Sequence, residues 1–317
     1  MSDPLGEFRC LEGLEEVPPS LRGCVLTIGN FDGVHLGHQL ILATALALGG
    51  AEGVAVAALT FEPAPEAILR PRTAPPRISP PDQKVRLLAA CGVECVVVAR
   101  TDHHLLGMSP TAFVEQVIAG RFGPRHIVEG NNFRFGRGRS GSVDTLRRLG
   151  AKYHFDCHVV EPVLAEMPEG PTRVSSTLVR ELVLAGRVEQ AARCLGRPFT
   201  LYERIVPGQG VGRQIEFPTA NLQPTQQLVP GDGVYAGWAA IDGGRFSAAI
   251  SVGNKPTFGG GPRVVEAFLL GAAGDLYGSM LALSFLQRLR DQQQFSDPGQ
   301  LKAQIERDVQ RVREICQ

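Results

Sequence analysis

The chain has 317 residues, 44% of them hydrophobic and 20% charged, with 32 basic residues set against 32 acidic ones. That length favours two domains, and a formal charge of zero argues against a broad nucleic-acid or membrane surface while leaving room for a local phosphate site. The seven cysteines, Cys10, Cys24, Cys91, Cys95, Cys157, Cys194 and Cys316, form no C-x-x-C pair, which points to reduced, mostly buried thiols of a cytoplasmic protein. The opening MSDPLGEFRC has neither a basic nor an apolar region, so no signal peptide is expected, and no apolar run approaches a membrane span.

In chain order, the first half alternates. CVLTIG (24–29), VAVAALT (54–60), ECVVVA (94–99), HIVEG (126–130) and FDCHVVE (155–161) read as short strands rich in Val and Ile. Helix-like stretches lie between them at 36–48, 82–91, 110–120 and 142–149. The alternation predicts βαβ units and a parallel sheet, with ligands at the carboxyl ends of its strands. Residues 61–82 carry seven prolines, which predicts a long surface loop with local polyproline character. Helical pieces at 175–185 and 188–195 follow, split by Gly186, and LGRPF (195–199) reads as a junction. Beyond it, LYERIVPG, GVYAGWAAI, FSAAISVG, VVEAFLLG and MLALSFLQRLR are strands without intervening helices, the pattern of a small antiparallel barrel. The tail, 297–315, returns to helix, with Asp297 as N-cap, Pro298 in the first turn and an apolar stripe of Leu301, Ile305, Val309 and Val312.

The stretch LTIGNFDGVHLGHQLIL (26–42) places two histidines, His35 and His38, where a strand turns into a helix. A helix start has unpaired N–H groups and partial positive charge, so it attracts phosphate. Gly29, Gly33 and Gly37 allow close backbone approach. The imidazoles can donate to phosphate oxygens and stabilise charge as an α-phosphate is attacked. Zinc binding by the pair, or two plain surface histidines, is the competing reading. No Cys, Asp or Glu set at metal spacing lies nearby, and the phosphate reading is favoured.

GNFDGVHLGHQ resembles the signature of bacterial bifunctional riboflavin kinase/FAD synthetases. RVSSTLVREL (173–182) is similar to that family's I-S-S-T-x-x-R element, and NNFRFG (131–136) to its G-x-[DN]-F-x-F-G block. The resemblance implies a Rossmann-like nucleotidyltransferase domain over 1–186 and a riboflavin kinase barrel with a terminal helix over 187–317, joined by a helix near 187–197. It implies ATP contacts from Gly29, Phe31, Asp32, His35, Gly37, His38, Ser175, Ser176, Thr177 and Arg180. Asn132, Phe133 and Phe135 would lie on the flavin side. Gly136, Gly138 and Gly141 also spell a literal G-x-G-x-x-G, but no strand precedes it directly, so a dinucleotide fingerprint is rejected. TFEPAP (60–65) matches loosely, with Ala64 where many relatives have His.

GVGRQIEFPTANL (210–222), NKPTF (254–258) and RVVEAFLLG (263–271) resemble the kinase domain's blocks. Thr219 and Asn221 are two apart, so on an extended segment they face the same way and offer hard oxygen ligands to Mg2+. Glu266 lies in an apolar strand, an expensive place for a carboxylate unless it is paired or accepts a proton. By resemblance, Glu266 takes the proton of the riboflavin 5′-hydroxyl, Gly212, Thr219 and Asn221 hold Mg-ATP, and Arg290 and Phe295 lie toward the flavin. Two positions depart from the family, Glu216 for a usual Gly and Phe268 for a frequent His. The expected function is phosphorylation of riboflavin to FMN and transfer of AMP from ATP to FMN, with small-molecule substrates and neither nucleic acid nor membrane as partner. The alternatives are an FAD synthetase with a kinase-impaired barrel, a transferase for a pantetheine or nicotinate nucleotide, and a flavin-responsive regulator.

Overall fold

The computed structural model describes residues 8–207, 219–253, 264–272, 274–295 and 297–316. Contacts divide the chain into two compact units. The first takes the described residues up to Pro75, Pro80–Ala165 and Pro171–Val174; the second takes Pro76–Ser79, Glu166–Gly170 and the described residues from Ser175 onward.

The first unit is built on a parallel sheet of β1 (Arg9–Glu12), β2 (Val25–Ile28), β3 (Val56–Glu62), β4 (Cys95–Arg100), β5 (His126–Gly130) and β6 (Asp156–Val160), in the order β1-β4-β3-β2-β5-β6. All four residues of β2 are buried, as the unbroken apolar run requires of a strand covered on both faces. The order runs one way from β2 through β3 and β4 and the other way from β5 to β6. The gap between the ends of β2 and β5 is therefore the topological switch point, where ligands of such sheets bind. Helices α1 (Leu36–Glu52), α2 (Pro65–Leu69) and α3 (Pro81–Ala90) belong to this half.

The five expected strands all form. Strand β1 was not foreseen; its RCLE sequence shows no clear alternation, yet it pairs with β4 from Arg9↔Cys95 to Glu12↔Val98. The expected helix at 110–120 is an α-helical turn, Pro110–Phe113, continued as a π-helix, Val114–Phe122. The Pro-rich stretch departs from the expected irregular loop. Pro65 sits at the start of α2, where a missing N–H leaves no bond unmade, so a short helix forms inside the stretch. All seven cysteines are free.

In the second unit, α4 (Ser176–Leu184) and α5 (Val188–Leu195) precede a closed barrel of β7 (Phe199–Val206), β8 (Ala220–Leu222), β9 (Gly233–Ile241), β10 (Gly244–Gly253), β11 (Val264–Leu269) and β12 (Met280–Arg290). Its order is β7-β8-β11-β10-β9-β12, with every pairing antiparallel. Alternate residues fill the interior, among them Phe199, Leu201, Tyr235, Ile250, Ala267 and Phe285. The terminal helix α6 (Pro298–Ile315) starts as expected, Asp297 accepting from Gln300 N at 2.9 Å. Val312 packs against Ala236 of the barrel.

Candidate active sites

Strand β2 ends with Gly29 N donating to Leu59 O. The chain then turns sharply: Phe31, Gly33 and Val34 all have positive φ, at 48°, 81° and 38°. That is a strained conformation for a β-branched valine, of the kind that gathers at functional sites. The turn delivers His35 to the N-cap of α1. Its Nδ1 accepts from His38 N at 3.3 Å, so the proton of a neutral His35 sits on Nε2. The His38 ring stacks on His35, centroids 3.7 Å apart and planes 16° apart, and Phe31 meets it edge-on at 5.2 Å. Burial, followed by the neighbouring His35, holds the His38 imidazole well below the usual histidine range. His38 Nδ1 has no hydrogen-bond partner among the described residues.

The spacing H-x-G-H now has a steric reason. A Cβ on Gly37 would lie 3.1 Å from the His35 ring and 3.9 Å from the carbonyl oxygen of Val174. The ring lies over a position that any side chain would crowd. Gly29 is covered in the same way by the Phe31 ring, 3.3 Å from where its Cβ would be.

On the other side of the switch point, β2 and β5 pair only through Val25↔His126 and Leu26↔Ile127. Past that rung the Ile28 N–H is taken by Glu129 Oε1 at 2.6 Å. Glu129 is 2% exposed. Burial pushes its carboxyl well above the usual carboxylate range, against a smaller opposing pull from the Ile28 N–H. The unfolded chain loses this proton near the ordinary value of 4.5 and the folded chain keeps it to higher pH. The group therefore costs stability increasingly as pH rises above that point. Glu129→Gln, which keeps an acceptor for Ile28 N–H, is expected to raise the urea midpoint at neutral pH and to change it little in mild acid. An equal shift at both would contradict this account.

After β5 come the flavin-side candidates. Asn132 is exposed and Phe133 half-buried. Phe133 stacks on Phe135 at 5.5 Å. Phe135 itself is 7% exposed and belongs to the core, so it supports Phe133 rather than presenting a face of its own. Gly136 and Gly138 lie in a tight turn between two-residue strands and Gly141 begins the second of these, which agrees with the rejection of a dinucleotide fingerprint. Arg134, Arg137 and Arg139 are exposed there.

In the second unit, Ser175 caps α4, its hydroxyl accepting from Leu178 N at 3.2 Å. Ser176 and Thr177 occupy the first turn. Arg180, one turn on, donates from Nε to Pro76 O at 2.9 Å.

On the barrel, Glu266 of β11 stands opposite Asn221 of β8 on one side and Ser251 of β10 on the other. Directly opposed residues of antiparallel strands share a face, so these three side chains form one row. Their chain neighbours Val265, Ala267, Ala220, Ile250 and Val252 are buried. The row therefore lies on the face opposite the barrel interior, and Glu266 is half-buried with its Oε1 buried, a carboxylate set in an apolar strand as its sequence predicts. Gln292 Nε2 donates to Ser251 Oγ at 3.0 Å and to Val252 O at 3.0 Å. Asn221 Nδ2 donates to Thr219 O at 3.4 Å. Carboxamide, hydroxyl and carboxylate oxygens at one place are a donor set suited to Mg2+.

Arg290 is engaged elsewhere. Its Nε lies 3.1 Å from both oxygens of Asp308, Nη2 lies 2.7 Å from Oδ2, and Nη1 donates to Asp291 O at 2.9 Å. The pair ties β12 to α6. Phe295 is half-buried. Gly212, Glu216 and the NKPTF block (254–258) lie outside the described residues.

A family model described as FAD synthetase matches residues 17–178, and one described as riboflavin kinase matches residues 195–316. The bifunctional riboflavin kinase/FMN adenylyltransferase of Pseudomonas fluorescens is 37% identical over 310 residues, covering 98% of each chain. The chain belongs to that family. The enzyme of the same name from Escherichia coli K12 is 35% identical, covering 97% of each chain. A crystal structure of a Streptococcus pneumoniae protein named for macrolide efflux superposes with a TM-score of 0.85 at 27% identity, covering 96% of this chain and 98% of that one. Among the described residues no helix is long and apolar enough to cross a membrane.

Within this family frame, sequence reasoning missed three arrangements. The Glu129 carboxyl carried no signal, because a lone Glu in HIVEG reads as a strand-edge residue. Nor did anything mark the contact of residues 76–79 with the barrel's unit. Asn131 Nδ2 donates to Glu161 Oε2 at 3.1 Å and its Oδ1 accepts from Arg173 at 3.2 Å. These three lie far apart in sequence, so only the fold reveals their proximity.

Proposed function

We propose that this chain phosphorylates riboflavin to FMN with its C-terminal part (187–317) and transfers AMP from ATP to FMN with its N-terminal part (1–186), in the cytoplasm. The observation that carries the transferase half is the stacked His35–His38 pair capping a helix at the switch point. The FMN phosphate oxygen attacks the ATP α-phosphorus, the bond to the β-phosphate breaks, and pyrophosphate leaves. His35 Nε2–H and the amides of the helix start donate to phosphate oxygens as charge builds on them. His38 supports His35 from beneath and contributes its own ring to the same cradle. Ser176, Thr177 and Arg180 bind phosphate, and Phe31, Asp32 and Gly29 shape the nucleotide pocket. Asn132 and Phe133 hold FMN.

The kinase half is supported by the Asn221–Glu266–Ser251 row. Glu266 accepts the proton of the riboflavin 5′-hydroxyl as that oxygen attacks the γ-phosphate and ADP departs. Thr219 and Asn221 hold Mg2+, which neutralises phosphate charge when bound. Phe295 lies toward the flavin. Incubation with riboflavin and Mg-ATP is expected to yield FMN and then FAD; absence of both products rejects the reading. Phe268 and Glu216 favour one second reading, a kinase-impaired synthetase, which yields FAD from supplied FMN but no FMN from riboflavin.

A further inference from the structure

Residues 76–79 belong to the second unit, although the residues on either side of them belong to the first. The segment is held there as a short strap. Arg77 forms a parallel bridge with Gln227, and Leu228 N donates to Arg77 O at 2.7 Å. Gln227 uses both ends of its carboxamide. Nε2 donates to Ile78 O and Thr200 O, each at 2.8 Å, and Oε1 accepts from Tyr202 N at 3.0 Å. Ile78 is 2% exposed and Gln227 6%. A buried carboxamide bonded at both ends fixes both partners, because any shift would strand a polar group away from water.

The first residue of the strap meets Arg180. The carbonyl of Pro76 is the acceptor for Arg180 Nε at 2.9 Å. A guanidinium is planar and carries five N–H donors. One bond from Nε to a fixed carbonyl sets that plane and so sets where the remaining donors point. Proline also suits the task, since its own φ is locked and the strap's entry is stiff.

We propose that Gln227 is a positioning residue for adenylyl transfer: it anchors the strap 76–79, whose Pro76 carbonyl orients Arg180 for the nucleotide's phosphates. The inference rests on the role given to Arg180 above. It assigns to a residue within the barrel's stretch of sequence an effect on the other reaction. The strap pre-arranges Arg180 before ATP arrives, so less side-chain freedom is lost on binding.

The test uses the full-length chain with Gln227→Met, which keeps the volume and removes the carboxamide, and Gln227→Glu, which removes the two donated bonds. FAD formation from supplied FMN and FMN formation from riboflavin are measured separately, each against ATP concentration. Both variants are expected to raise the KM for ATP in FAD formation about fivefold, the effect of losing one orienting hydrogen bond. The kinase constants should stay at the wild-type values. In an Arg180→Ala background the Gln227 change should add no further loss, a non-additivity that general destabilisation would not produce. A wild-type KM in either folded variant overturns the proposal, as do equal losses in both reactions or additive losses with Arg180→Ala. Should Arg180→Ala alone leave FAD formation intact, the phosphate role of Arg180 fails, and the strap's function with it.

Discussion

Replacing His38 by alanine is expected to slow FAD formation from FMN by about 10²–10³-fold, the effect of losing a preorganised donor set at a developing charge. Riboflavin phosphorylation should be unaffected. The loss follows from the ring contact. The His38 ring stacks on His35 at 3.7 Å, and the His38 N–H holds His35 Nδ1. Alanine keeps the N–H but removes the stacked ring, so His35 loses the support that aims Nε2. Steady-state FAD production separates the outcomes: a KM change alone would mean that the ring only binds ATP, while a fall in kcat places it in the step itself. The pH behaviour follows from burial. The unfolded chain takes up a proton at His38 near the ordinary value of 6.5, and the folded chain resists it. His38 therefore withdraws stability as pH falls below 6.5, and none above it. Urea melts of His38→Ala should show a shallower loss of stability on acidification than the parent.

Glu266→Gln is expected to reduce riboflavin phosphorylation by about 10²–10⁴-fold, the usual contribution of a positioned general base. FAD formation from supplied FMN should persist. The amide keeps the size of the side chain and its place in the row with Asn221 and Ser251, but it accepts no proton. A fold defect is thus separable from a chemical one. Comparable loss in both reactions, or a kinase rate within threefold of the parent, would remove Glu266 from its role.

Much of the architecture was legible because each half wrote its pattern in period and punctuation. β2, β3 and β4 are dominated by Val, Ile, Leu and Ala, the mark of strands buried on both faces. In the barrel, GVYAGWAAI and MLALSFLQRLR coincide with β9 and β12 residue for residue. Strand β1 was silent because a four-residue edge strand carries too little apolar content to stand out. The helix inside the Pro-rich stretch was missed because proline was taken as a breaker, when at the first helical position it is tolerated.

At the sites, residue types were legible and their commitments were not. The histidine pair, the Ser175 cap and the position of Glu266 could be read from spacing. That Arg290 pairs with Asp308 and that Phe135 is core are facts of packing between distant segments. The Asn221–Glu266–Ser251 row depends on strand register, which spacing along one strand does not determine.

The central claim is that one chain holds two ATP-using sites with different points of attack. Isotope transfer tests it directly. With riboflavin as acceptor, ATP labelled at the γ-phosphate should give labelled FMN in the parent and His38→Ala, and none in Glu266→Gln. With FMN as acceptor, ATP labelled at the α-phosphate should give labelled FAD in the parent and Glu266→Gln, and far less in His38→Ala. Label failing to enter either flavin, or both variants losing both transfers together, would contradict the account.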